Sequence, residues 1–92
     1  MNLRKLLKDV GMAVFIKYYY DFKSKENKEC VSIIEEPYTP KSKSGRTSKA
    51  KQIFRNDLQI DALRTITNSN RIDESIIKKA KEILREETNS SS

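Results

Sequence analysis

Apolar residues recur at helical spacing along most of this chain. Over residues 3–23, Leu3, Leu6, Leu7, Val10, Val14 and Tyr18 fall on one side, with Arg4, Lys5, Lys8 and Asp9 opposite. That pattern predicts a long amphipathic helix. Beyond Gly11 the apolar set widens: Met12, Ile16, Tyr19 and Tyr20 land on what had been the polar face, so this half needs cover nearly all round. The same residues also alternate, Val14, Ile16, Tyr18, Tyr20 and Phe22 against Phe15, Lys17, Tyr19 and Asp21. With Gly11 as a helix stop, an α+β fold with a hairpin over 13–36 is the alternative. Residues 28–36 weigh against it. Cys30, Val31, Ile33 and Ile34 share one helical face, and the adjacent pair Ile33-Ile34 breaks strand alternation, so a second helix ending at Pro37 fits better.

Thr39-Pro40 supplies an N-cap followed by proline at the first helical position, which predicts a third helix reaching about Arg55. Its first two turns hold no apolar residue and Gly45 weakens its middle, so a start delayed to Thr47 or Ser48 is the competing boundary. Ala50, Ile53 and Phe54 point one way, whereas Leu58, Ala62, Leu63 and Ile66 cluster about half a turn round. The chain therefore has to break at Arg55-Asn56-Asp57. Asn56 or Asp57 would cap the next helix, with Gln59 completing a capping box, and Thr67-Asn68-Ser69-Asn70 would end it. After Asp73 as cap, Ile76, Ile77, Ala80, Ile83 and Leu84 form the cleanest stripe of all, opposite a balanced outer face of Glu74, Lys78, Lys81, Glu82 and Arg85. The expectation is an all-α bundle of about five helices in a single domain over residues 1–87, followed by a frayed polar tail at 88–92.

Composition narrows the chemistry. With 92 residues, 36% of them hydrophobic, the chain has material for one small core. Its single cysteine excludes an internal disulfide and points to the reducing cytoplasm, with Cys30 serving as a small core residue. The basic start resembles that of a signal peptide, but Lys8 and Asp9 interrupt the apolar run at once. No segment is long enough to span a membrane, and a core this small needs Leu3, Leu6 and Leu7, so no membrane partner is expected. There is no histidine, no second cysteine to complete a metal site, and no glycine-rich phosphate loop; Glu35-Glu36 and Glu86-Glu87 sit at helix ends, where exposed acids are ordinary. No enzyme, metal or cofactor is expected from such a set.

Charge gives the best functional clue. Residues 41–55 carry Lys41, Lys43, Arg46, Lys49, Lys51 and Arg55 with no acid, while the other basic and acidic residues cancel at 13 each, so the net +6 is local. Cations interleaved with Ser42, Ser44, Thr47 and Ser48 suit a phosphate backbone. If 28–36 and 40–55 are helices joined by the tight turn Pro37-Tyr38-Thr39, they have the proportions of a helix-turn-helix. Lys41, Ser42, Lys43, Arg46 and Thr47 would then read bases and Lys49, Lys51 and Arg55 grip phosphates. Against this, Lys41 to Ser48 offers no apolar anchor to fix a crossing angle, so a basic arm that orders on nucleic acid and a plain solvated linker stay open as alternatives. DNA is preferred to RNA only because of this layout and because no aromatic lies within 41–53 to stack unpaired bases. The rival class is a protein-binding adaptor or inhibitor, or a homodimer, drawing on the aromatic-rich stretch 15–22 with Ile16, Tyr19 and Tyr20 as its face. Its bland counterpart is that all these side chains pack internally.

Overall fold

The computed structural model describes residues 2–89, which form seven helices: α1 (Leu3–Val10), α2 (Met12–Lys17), α3 (Tyr19–Ser24), α4 (Asn27–Ile33), α5 (Pro40–Arg55), α6 (Gln59–Thr67) and α7 (Glu74–Asn89). The fold is all-α. No strand occurs among the described residues, so the hairpin alternative over 13–36 does not hold. The Cα radius of gyration, 12.4 Å, matches the roughly 12 Å of a compact chain of this length.

The expected first helix is three pieces. Gly11 adopts φ +91°, a conformation glycine reaches without penalty, and ends α1 by donating its N–H to Leu7 O at 2.8 Å. That bend redirects α2, and it accounts for the widening of the apolar pattern: Val14, Phe15 and Ile16 are all buried because this stretch runs through the core. Tyr18 distorts the ladder between α2 and α3, although its N–H still reaches Val14 O and its carbonyl still receives the Phe22 N–H.

The segment expected as helix 28–36 is shorter, Asn27–Ile33. Ile34 turns to an extended backbone and drops into the core, 2% exposed. The Tyr18 hydroxyl then holds the next two residues, accepting the Glu35 N–H at 3.0 Å and donating to the Glu36 carboxylate at 2.8 Å. Burial alone would raise the Glu36 carboxyl, but hydrogen bonds from Tyr18, its own backbone and Lys17 outweigh that and hold it below the usual glutamate range.

The break between α5 and α6 falls where the apolar stripe changes sides, though not through the expected cap. Asp57, at φ 58°, forms a C-terminal αL turn in which Leu58 N–H reaches Ile53 O (2.8 Å) and Asp57 N–H reaches Phe54 O (3.1 Å). Leu58 stands at the start of α6 without a side-chain cap, and Gln59 bonds Asp57 instead of closing a capping box. Ile53, Leu63 and Ile66 are fully buried, and half-buried Phe54 stacks on Phe15 and meets Tyr19 edge-on. α7 packs on α6 and α2, burying Ala80 and Ile83. It continues through Thr88 and Asn89, past the expected boundary at residue 87; Ser90–Ser92 lie outside the described residues. Carboxylates near this end make bonds across to α3: Glu87 accepts from Tyr19 (3.0 Å) and Lys23 (2.7 Å), and Glu86 from Tyr20 (2.5 Å).

Candidate nucleic-acid interface

α5 is regular from its first turn. Thr39 Oγ1 accepts the Ser42 N–H at 3.1 Å and Pro40 occupies the opening turn, as its sequence predicts. The delayed start at Thr47 or Ser48 does not occur, because the early turns are anchored by side chains that the sequence pattern marks only as polar. Arg46 reaches back across the bundle, its guanidinium donating to Val10 O at 2.8 Å and Asp9 O at 3.4 Å and lying 3.9 Å over the Tyr38 ring. A cation set on the last carbonyls of α1 satisfies groups the helix cannot pair itself and favours its dipole. Arg46 also donates to Ser42 Oγ at 3.3 Å.

Three of the eight expected contact residues are therefore structural. Arg46 locks α5 to the end of α1. Thr47 is fully buried, 0% exposed, between the helices. Lys51 Nζ donates to the carbonyls of Phe22 and Lys25, closing the end of α3. Cys30 Sγ shares the Lys25 carbonyl and bonds Asp21 O at 3.3 Å; burial pushes this thiol up, with the charge of Lys51 opposing, so it is a core group as expected.

The remaining residues define a different surface. Lys41, Ser44, Gly45, Ser48 and Arg55 are exposed, with Ser42 and Lys49 half-exposed beside them and Lys43 half-exposed further round the helix. Positions 41, 44, 45, 48 and 55 make one stripe along the side of α5 opposite Thr47, Ala50 and Ile53. Among the described residues, Lys41, Lys43, Lys49 and Arg55 form no ion pair; the three ion pairs present are Lys17–Glu36, Lys23–Glu87 and Lys25–Asp21. A shallow cleft of about 230 Å³ between the end of α1 and α5 is lined by Asp9, Ser42, Gly45, Arg46 and Lys49. A larger opening, about 440 Å³, lies between α6 and α7, but there Glu74 shares the lining with Lys78 and Lys81 and offsets part of their charge.

Packing adds residues that sequence alone did not place. α1 lies against α5 and brings exposed Arg4, Lys5 and Lys8 to the helix beside it. Together the two helices hold nine basic residues and one acid, Asp9, against ten bases and twelve acids elsewhere. Nothing in the linear pattern signals this, since the pairing of α1 with α5 depends on the turns between them.

The tight three-residue turn of the expected helix-turn-helix is not present. Residues 34–39 separate α4 from α5, twice the expected turn, and two proposed base-reading residues, Arg46 and Thr47, face inward. The rival partner face is also revised: Ile16 (0% exposed) and Tyr19 (1%) belong to the core, where Phe15, Tyr19, Phe22 and Phe54 pack ring against ring. Tyr20 alone stays out, 44% exposed, with its hydroxyl bonded to Glu86. Among the described residues there is no acid, cysteine or histidine cluster fit for a metal and no helix long and apolar enough to cross a membrane. No family model, curated protein or solved structure matches the chain, so its class rests on its own geometry: a small all-α domain with one acid-free basic helix turned outward.

Proposed function

We propose that this domain binds nucleic acid, gripping backbone phosphates with Lys41, Lys43, Lys49 and Arg55 on α5. The observation that supports the reading most is the absence of any acid on α5. Its outward cations meet water on a helix without a carboxylate, whereas the basic residues of α7 share their helix with Glu74, Glu82, Glu86 and Glu87. Unpaired, clustered cations gain most from a polyanion, because binding releases its condensed counterions, and the Ser44 and Ser48 hydroxyls add uncharged donors beside them. Arg46 and Lys51 are left out of the contact set, since each already serves helix-end carbonyls. The aromatic adaptor reading loses its face once Ile16 and Tyr19 are internal.

The test is the salt dependence of binding to a mixed-sequence DNA fragment. Four phosphate contacts give a slope of log affinity against log salt of about −3.6. Changing Lys41, Lys49 and Arg55 together to Gln should flatten it by about 2.7. The same change at Lys78, Lys81 and Arg85, on the balanced face of α7, should alter it far less. Equal losses from both sets, or no binding at low salt, would overturn the proposal.

A further inference from the structure

The exposed stripe of α5 has a charge layout of its own. Lys41 stands at one end and Arg55 at the other, and between them the exposed residues are Ser44, Gly45 and Ser48, small and uncharged, with Gln52 half-exposed on the same face. At 1.5 Å per residue the two charges are about 21 Å apart along the helix axis. The major groove of B-form DNA is about 12 Å wide, so a helix lying across it with cations this far apart reaches phosphates on both rims while its middle faces the opening.

Gly45 fits the same arrangement. It lies inside a helix with no positive φ, and a Cβ built on it would meet nothing within 4 Å, so neither backbone conformation nor packing requires glycine there. An exposed mid-helix glycine costs about 1 kcal/mol relative to alanine. Close approach by something outside the molecule supplies the missing reason.

Resting on the nucleic-acid reading above, we propose that α5 docks across the major groove of duplex DNA, with Lys41 and Arg55 on phosphates of opposite strands and Ser44, Gly45 and Ser48 against the groove. The contact recognises the shape and charge of the duplex more than base identity, because Ser44, Gly45 and Ser48 are short and only half-exposed Gln52, one turn beyond Ser48, is long enough to reach a base edge. A-form RNA is disfavoured, its major groove being too deep and narrow for a helix to enter. Single strands lack the opposed phosphate rows.

The experiment compares the full chain with Gly45→Leu by fluorescence anisotropy on a mixed-sequence DNA duplex, its separated strands and the same sequence as duplex RNA. Gly45→Leu places its Cβ in open space and improves helix propensity, so its melting temperature should stay level or rise. Ser75→Leu, exposed at the start of α7, matches the added apolar bulk elsewhere. The expected result is at least a tenfold loss of duplex DNA affinity for Gly45→Leu with an unchanged salt slope, little change on single strands, and little change for Ser75→Leu. Wild-type duplex affinity for Gly45→Leu would overturn groove docking, as would equal losses on duplex and single strands, or equal binding to duplex RNA. In each case the phosphate-binding reading survives if Lys41→Gln with Arg55→Gln still lowers the salt slope by about 1.8. No binding to any of the three probes sinks both.

Discussion

Two parts of this small molecule use charge in opposite ways. Along the contact of α3 with the end of α7, the charged groups are partnered: Lys23 meets Glu87, and Tyr19 and Tyr20 donate to Glu87 and Glu86. Along α5 there is no acid, yet its six cations are not equivalent. Arg46 and Lys51 close the carbonyl ends of α1 and α3, and the others are left facing water. Charge count alone cannot make that division. A cation that a helix end requires and a cation left in water look alike in sequence, and only the direction of the side chain tells them apart.

The sharpest way to break this comparison is to remove one cation of each kind. Arg46→Ala strips two carbonyls of a charged donor and uncovers Tyr38, and hydrogen bonds to charged groups contribute about 1.5–3 kcal/mol. A loss of about 2–3 kcal/mol in urea denaturation is expected, with Lys51→Ala close behind. Lys41→Ala and Lys49→Ala should stay within about 0.5 kcal/mol, as surface changes do. If all four behave alike, the division of α5 into structural and outward cations is wrong.

A smaller effect comes from the inward side of the same helix. Thr47 Oγ1 is buried with no hydrogen-bond partner. Replacing a buried unsatisfied hydroxyl by a methyl of similar shape removes a desolvation cost, so Thr47→Val should raise stability by about 1 kcal/mol while leaving nucleic-acid affinity as it is. Reduced affinity at unchanged stability would return Thr47 to the contact surface.

Much of the fold is legible in the sequence because its signals are local. The stripe Ile76, Ala80, Ile83 and Leu84, the Thr39-Pro40 start of α5 and the change of apolar side at Asn56-Asp57 each belong to one or two helical turns. The all-α class, the α5 boundaries and the inter-helix break follow from them. The illegible parts depend on the third dimension. Gly11 reads as a possible stop, but the positive φ that reroutes α2 into the core is set by packing, with Arg46 Nη1 standing 3.4 Å from where a Cβ would lie. The early end of α4 depends on a tyrosine hydroxyl 17 residues away from Glu35. For the candidate site, the basic helix is evident from its charges but the separate duties of its cations are not, because Arg46 bonds carbonyls 36 and 37 residues earlier.

The smallest expected effect sharpens the matched side of the comparison. Burial, then the hydrogen bond to Glu86 and the charges of Glu86 and Glu87, push the Tyr20 hydroxyl up to about 12, and burial with Glu87 raises Tyr19 as well. An unfolded tyrosine titrates near about 10. The folded value is the higher one, so the unfolded chain gives up its proton first; the stabilisation is complete below about pH 10 and is lost as pH rises toward about 12. The urea midpoint should therefore fall across that window, and Tyr20→Phe, which keeps the ring but has no proton to lose, should fall less steeply. Lysine titration is common to both proteins and drops out of the difference. Tyr20→Phe should also leave the salt slope of nucleic-acid binding unchanged, since α5 shares none of these bonds. Phenolate absorbance that develops in full near about pH 10 with the fold intact would mean that Tyr20 and Glu86 are not joined, and that the α3–α7 contact is no better matched than the surface of α5.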